Sequence, residues 1–266
     1  RIVSYVRKDG DVRYGIVKAA PVTEQPVKPA VAPEPTAPET AALPNNFRNL
    51  ANLIKIRLER GTKMDNPALT AMAEEAFGGT RAEGTYTPKD AYDALELAVN
   101  EFIAESPEVY GGALNNHAVL ENLRNLLQRL PRQTDRTEEQ QQFQQFSTPP
   151  TQAFVSAKML NPQEGETVLE PSAGTGGLAV FAKLAGANVH ANEISPRRAE
   201  LLRMQGYPVT EVDAEIINDV LPDNIKPTAI LMNPPFSATG GRVARNRTEY
   251  GAKHVESALA RLENGG

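Results

Sequence analysis

The sequence predicts an α/β fold built on a mostly parallel, doubly wound sheet, and three observations carry that expectation. From about residue 146 onward, short apolar runs alternate with helix-patterned stretches, the order that winds strands in parallel. The first run leads directly into the glycine-rich turn "EPSAGTGG". Glu170 and Glu193 end the first two runs, and Asp213 and Asn233 follow the third and fourth; these are spaced by about twenty residues, the length of one strand–helix unit. Ligands of such sheets sit at the carboxyl ends of the strands, so the four side chains are expected to share one rim.

The elements before that half are of another kind. Residues 1–20 hold two short β-runs around "KDGD", and Asp-Gly between alternating residues is a hairpin signal. The chain opens "RIVSYV", without methionine and already in a strand pattern, so this hairpin is expected to be the remnant of something longer. Residues 21–44 carry prolines at 21, 26, 29, 33, 35, 38 and 44 among Ala, Val, Glu and Thr. That composition makes a semi-extended linker, read as a spacer, with partner docking as the other reading.

Residues 45–142 read as a small helical domain. Phe47, Leu50, Ile54 and Leu58 keep helical spacing up to Gly61. "NPALTAMAEEAFGG" offers Asn66 as a cap, Pro67 in the first turn and Gly78 as the stop. "TPKDAYDALELAVNEFIAE" repeats the device with Thr87, Pro88 and Asp90, and sets Tyr92, Leu95, Val99, Phe102 and Ile103 on one stripe. "HAVLENLRNLLQRL" aligns Val119, Leu120, Leu123, Leu126, Leu127 and Leu130 before Pro131. The polar, helix-compatible "TEEQQQFQQF" leads into the second half. There the expected strands are 167–170, 188–194, 208–212 and 227–232, with helices at 178–184 and 196–204 between them. A last helix in "YGAKHVESALARLENGG" has Val255, Leu259 and Leu262 as its stripe. A fifth parallel strand is due after its terminal glycines, so the sheet is expected to be incomplete at its C-terminal side, with "TAILM" as an exposed edge.

Composition narrows the chemistry. The 266 residues carry a net charge of −5 and no cysteine, which excludes disulfides, thiolate metal sites and cysteine nucleophiles. His117, His190 and His254 are too scattered in sequence for a metal-ligand spacing, so no metal is expected. No run reaches the ~18 apolar residues of a membrane helix. An acidic total still permits a local basic strip against nucleic acid.

The candidate site begins at the glycines. Gly174, Gly176 and Gly177 after a strand permit a tight turn and close backbone approach to a ligand. "GTGGLA" also satisfies a loose dinucleotide fingerprint, and a plain strand–helix turn accounts for the same residues. Glu193 is spaced to hold two ribose hydroxyls, which fits NAD and S-adenosylmethionine alike. "NPPF" separates the two, because hydride transfer has no use for it. Its prolines fix the backbone, so that the Asn233 side chain and a neighbouring carbonyl can accept both hydrogens of an exocyclic amino group. Phe236 supplies a stacking face for a base, which from a duplex must first be flipped out. The bland alternative is a proline-rich turn ending a strand. Downstream, Arg242, Arg245, Arg247 and Lys253 stand against the single acid Glu249, a strip suited to phosphate contacts or simply a solvated loop.

At this point the chain resembles a known family. "FSTPP", "VLEPSAGTGGLAV", "NEIS", "EVDA" and "NPPFS" look like the ordered motifs of the amino-group (N6-adenine) DNA methyltransferases, gamma-type order, over residues 143–266. The resemblance implies a Rossmann-like class I methyltransferase domain that uses S-adenosylmethionine to methylate N6 of adenine in DNA. It implies Phe146, Ser147 and Thr148 at the methionine end of the cofactor, and Glu170 with Pro171, Ser172, Ala173, Gly174 and Gly176 beneath its amino acid and sulfonium. Glu193 would hold the ribose, Ile194 pack on the adenine and Asp213 accept its amino group. Asn233, Pro234, Pro235 and Phe236 would form the catalytic, target-base site. The helical segment is also similar to the region before the methyltransferase in large phage and plasmid proteins, where a strawberry-notch-type helicase follows. That implies DNA and the remainder of a larger polypeptide as partners, without a membrane, in the cytoplasm of a bacterial cell or phage-infected host. The same motif also serves methyltransferases of an RNA or protein NH₂ group, and a non-catalytic module of an anti-restriction or helicase polyprotein is the reading from another class.

Overall fold

The computed structural model describes residues 2–6, 12–16, 45–111, 115–131, 148–234 and 247–263, with backbone alone for 2–6, 12–16 and 247–250. The chain forms two compact units, Arg1–Glu39 and Thr40–Gly266. In the first, β1 (Ile2–Val6) and β2 (Val12–Ile16) pair antiparallel, Val6 opposite Val12 and Ile2 opposite Ile16. The "KDGD" turn, the proline-rich segment 21–44 and "TEEQQQFQQF" lie outside the described residues.

The second unit begins with helices whose ends follow from local chemistry. In α1 (Asn45–Glu59), Phe47, Leu50, Ala51, Ile54 and Leu58 form the buried face. The helix α2 (Asn66–Phe77) is capped by Asp65, whose carboxylate accepts the Ala68 N–H at 2.9 Å. Asn66, the expected cap, is instead the first helical residue and accepts a hydrogen bond from the Tyr92 hydroxyl. Its far end closes on Gly78 at φ 69°, a left-handed position that favours glycine. Thr87 and Asp90 cap α3 (Pro88–Ala104) reciprocally, each side chain bonded to the other's backbone N–H. The expected stripe of α3 is only part of its buried surface. Tyr92 and Phe102 are half-buried, whereas Lys89, Asp93, Leu97 and Asn100 are buried as well. Neighbours on several sides therefore enclose this helix. Short α4 (Pro107–Tyr110) and α5 (Asn116–Leu127) follow, the latter inserting Val119, Leu123 and Leu126.

The sheet contains β3 (Thr167–Glu170), β4 (Asn188–Asn192), β5 (Val209–Thr210) and β6 (Ala229–Ile230), all parallel and ordered β5-β4-β3-β6. The helix α6 (Pro150–Leu160) precedes β3; α7 (Ala179–Leu184), α8 (Pro196–Met204) and α9 (Ile217–Val220) run between the strands, and α10 (Arg247–Arg261) follows β6. The later strands are shorter than expected. Proline at 208 has no N–H to give the ladder, and the Val212 N–H turns to the Asn192 side chain instead of a neighbouring strand.

Alternation along the strands feeds two cores. Val168, Val189 and Ala191 belong to the larger one, continuous with Leu50 and Ile54 of α1, Leu97 of α3 and Leu201 of α8. Leu169 and the half-buried Ile230 face the other way, onto Ile217 of α9, Leu221 just after it and Ala258 of α10. Helices thus cover both faces, and the chain is an α/β protein with a Rossmann-like, doubly wound parallel sheet joined to a helical segment.

Helix α10 is rotated from its expected register. Leu259 is 56% exposed and Val255 and Leu262 only half-buried, while His254 and Ala258 are buried. The small Ala258 lets the helix approach the sheet, and polar caps reinforce that face. Ser257 Oγ accepts the Asn218 N–H at 3.1 Å, and the Arg261 guanidinium donates to the carbonyls of Pro222, Ile225 and Asn218. No described helix is long and apolar enough to cross a membrane.

Candidate functional site

The strand order reverses between β3 and β6. The chain steps outward from β3 to β4 and β5, then returns to the opposite side of β3 to lay down β6. Loops leaving the two sides of such a switch point diverge and open a crevice. Here the loop after β3 is 171–177, and the described residues after β6 are 231–234.

The loop after β3 is held by backbone and side-chain bonds from several elements. The Ala173 N–H donates to the Asn192 carbonyl and the Gly176 N–H to the Ala173 carbonyl, each at 2.9 Å. Gly174 and Gly176 have φ of 57° and 93°, a region L-residues rarely adopt. A Cβ on Gly176 would come within 3.1 Å of the Leu202 side chain. The Thr175 carbonyl, in a residue 3% exposed, accepts from both Asn100 Nδ2 and Gln205 Nε2 at 2.8 Å.

Glu193, at the end of β4, ties this loop to the next helix. One carboxylate oxygen accepts the Gly174 N–H at 2.8 Å and the other the Ser195 N–H at 2.9 Å. Burial raises its pKa, while the charges of Arg198 and Lys89 and the two backbone N–H groups oppose the rise. Arg198 is 3% exposed, and its Nε and Nη2 have no hydrogen-bond partner among the described residues. Glu170 is 1% exposed. Burial pushes its carboxyl well above the usual range, with the Ala179 N–H pulling the other way and the Glu193 charge adding to the rise. Its Oε2 has no partner among the described residues.

Across the crevice, Asn233 Nδ2 donates to Thr148 Oγ1 at 3.1 Å. Thr148 in turn lies beside the glycine loop, its carbonyl 3.4 Å from where a Cβ on Gly177 would be. Asp213, after β5, is exposed and caps the following turn through the Glu215 N–H at 2.9 Å. Ile194 is 50% exposed beside Glu193. Pro171 and Ala173 are buried, Ser172 and Pro234 half-buried.

Glu170 therefore ends β3, and Glu193, Asp213 and Asn233 follow β4, β5 and β6, all toward the carboxyl ends of the parallel strands. Phe146, Ser147, Pro235, Phe236, Arg242 and Arg245 lie outside the described residues, as does the side chain of Arg247. Lys253 is exposed, with its Nζ 3.8 Å from Glu215. Among the described residues no group of three or more His, Asp or Glu could hold a metal ion.

Sequence reasoning missed several residues that build these strand ends. Asn192 uses all four of its side-chain hydrogen-bonding positions: Nδ2 donates to the Pro171 and Val212 carbonyls, and Oδ1 accepts from the Thr210 hydroxyl and the Val212 N–H. It pins the ends of β3, β4 and β5 together, and its signal was an amide at a buried strand end, next to the more conspicuous Glu193. Asn100, Gln205 and Arg198 left a fainter signal, polar groups inside otherwise apolar helical patterns. Chemically, the strand ends offer carboxylate acceptors for hydroxyl and amino donors, a turn with bare backbone at Gly174 and Gly176, and the Asn233 amide near that turn. That set suits a nucleoside-bearing ligand next to an amine.

No protein-family model matches the chain, and no curated protein matches it. Among solved structures it is similar to TrmN from Thermus thermophilus, with 20% identity over 64% of this chain and 65% of that one, at a TM-score of 0.37. It is also similar to the type I restriction-modification system methyltransferase subunit from Streptococcus thermophilus, with 16% identity over 80% of this chain and 57% of that one, at a TM-score of 0.34. The chain thus spans 65% and 57% of the length of these two proteins.

Proposed function

We propose that the Thr40–Gly266 unit is an S-adenosylmethionine-dependent methyltransferase whose acceptor is an exocyclic amino group, N6 of adenine in DNA. The observation that carries this reading is the hydrogen bond from Asn233 to Thr148 beside the glycine loop. It supports the reading by bringing the Asn233 amide beside the glycine loop at the topological switch point. With its Nδ2 engaged by Thr148, the amide has Oδ1 to offer a substrate as an acceptor.

The residues present fit such a cofactor. A side chain at Gly176 would be strained at φ 93° and would crowd Leu202 and Gln205, so the loop presents bare backbone there. Glu193 has a carboxylate held between two loop amides, and Glu170 a buried oxygen without a partner among the described residues. Glu193 would hold the ribose hydroxyls, Ile194 lie against the adenine ring, Asp213 accept its amino group, and Glu170 through Gly176 line the amino acid portion with Phe146, Ser147 and Thr148. When bound, the cofactor supplies an electrophilic methyl group. Asn233 Oδ1 and the Pro234 carbonyl accept the two hydrogens of the acceptor amine and turn its lone pair outward. Phe236 stacks on the base, and Arg242, Arg245, Arg247 and Lys253 contact phosphates. The larger polypeptide and its helicase belong to this proposal, as does a cytoplasmic site of action.

Transfer of labelled methyl to DNA, RNA and protein substrates, run in parallel, tests the acceptor. Methylated adenine in DNA is expected; label in RNA or protein alone would move the reading to another amino or amide acceptor. Asn233→Ala is expected to abolish transfer while leaving cofactor affinity nearly unchanged. Glu193→Ala is expected to weaken S-adenosylmethionine binding by about 1.5–3 kcal/mol, the scale of hydrogen bonds to a charged group. Equal or tighter binding of NAD by the wild-type chain would sink the proposal.

A further inference from the structure

One face of α3, in the helical segment that the proposed chemistry leaves without a role, is unusual. Lys89, Asp93 and Asn100 are 6%, 1% and 5% exposed, and positions i, i+4 and i+11 fall on one side of a helix. They make a polar stripe about 16 Å long through an otherwise apolar surface. Burying such groups is costly unless they are partnered, and their partners lie at the strand ends. Asp93 accepts from Arg197 Nε at 2.7 Å, at the start of α8, and Asp90 pairs with the same guanidinium. Lys89 Nζ is 3.6 Å from Asp93, and its charge also reaches Glu193. Asn100 Nδ2 donates to the Thr175 carbonyl at 2.8 Å.

That last bond acts on the glycine turn itself. The Thr175 carbonyl and the Gly176 N–H belong to one rigid peptide plane, so a donor on the carbonyl also fixes the direction of the N–H. The Gly176 N–H closes the turn onto the Ala173 carbonyl. Two glycines with positive φ flank Thr175, and glycine reaches alternative conformations at little steric cost. Asn100 on one side and Gln205 on the other remove that freedom.

We infer that α3 is a working part of the cofactor site and that Asn100 is a positioning residue. It holds the Thr175–Gly176 peptide, and so keeps the Ala173–Gly176 turn in the shape the cofactor requires. The inference rests on the cofactor reading proposed above. It also gives the helical segment a role, since whatever shifts α3 changes cofactor affinity.

The test uses the full 266-residue chain and two readouts, the Kd for S-adenosylmethionine and the amide exchange of Gly174 and Gly176 without ligand. Asn100→Ala is expected to raise Kd about tenfold, the loss of one buried hydrogen bond. It should also speed exchange at both amides by a similar factor without denaturant, where the loop opens locally, whereas the Ile54 amide of α1 reports only the change in global stability. Asn100→Asp keeps the size but turns an acceptor toward a carbonyl. The ratio of its Kd to the wild-type Kd should exceed that of Asn100→Ala at neutral pH. It should fall as the pH is lowered and the new carboxyl regains a proton to donate. Should Asn100→Ala not fold, the Asp variant carries both readouts. Lower thermal stability with unchanged Kd ratio and unchanged exchange would reduce Asn100 to packing and overturn the inference. A wild-type chain that binds no S-adenosylmethionine refutes the cofactor reading instead, and the exchange readout still decides whether Asn100 holds the turn.

Discussion

Asn192 and Glu170 show how single residues set the terms at the strand ends. Asn192 is 1% exposed with every side-chain position bonded. Asn192→Ala strands the Pro171 and Val212 carbonyls without their side-chain donor, and each buried unsatisfied group costs about 1–3 kcal/mol. The variant is expected to lose about 3 kcal/mol of unfolding free energy in urea; a loss below ~1 kcal/mol would mean that water replaces the amide. Glu170 acts through its proton. Its carboxyl is raised well above the ordinary 4.5, first by burial, so the folded chain keeps a proton that the unfolded chain has lost. Its contribution to stability is therefore full below that ordinary value, and it declines as the pH climbs toward the raised folded value. Glu170→Gln removes the titration. Its unfolding free energy should gain on the wild type as the pH rises from the ordinary 4.5 toward the raised folded value, and parallel pH profiles for the two proteins would contradict the assignment.

Elements differ in how openly the sequence announces them, and the difference is physical. The start of α3 was legible because Thr87, Pro88 and Asp90 form a local device whose bonds need nothing from the rest of the chain. The strand β3 and helix α8 were legible for the same reason, bounded by proline, glycine and polar residues. The four strand-end residues followed from strand spacing alone. The partners that fix them did not, because Asn100 and Thr175 are joined only by tertiary contact across 75 positions. Helix α10 failed at the level of its face: three large apolar residues suggested a stripe, and the fold buries Ala258 instead, against Leu169, Ile217 and Leu221. This register can be checked by opposed substitutions. Ala258→Leu should overpack that contact and cost about 1–3 kcal/mol, whereas Leu259→Glu, on a residue 56% exposed, should stay within about 0.5 kcal/mol. The reversed ranking would restore the stripe read from the sequence.

At the scale of the whole Thr40–Gly266 unit, the boundary between helices and sheet is a change of architecture with no break in packing. Residues from α1, α3, α5, α7 and β3 belong to one buried cluster, and α3 reaches the strand ends through Asn100 and Asp93. A helix enclosed on several sides cannot lose either set of neighbours without exposing apolar surface, at roughly 25 cal/mol for each Å². Shared burial of this kind joins segments into one cooperative unit. The expected consequence is that damage at the sheet is felt in full at the far helices. Native-state hydrogen exchange in urea measures this directly on Leu50 and Ile54 of α1, both fully buried. In Asn192→Ala, whose lesion lies in β4, the opening free energy of those two amides should drop by the same amount as the global unfolding free energy. If the α1 amides kept their wild-type values while those of β3 and β4 fell, the helices would be a separate domain resting on the sheet. Control of the cofactor turn by α3 would then have to work through a docking equilibrium between two folded bodies, and dilute denaturant would loosen Gly174 and Gly176 before it unfolded either one.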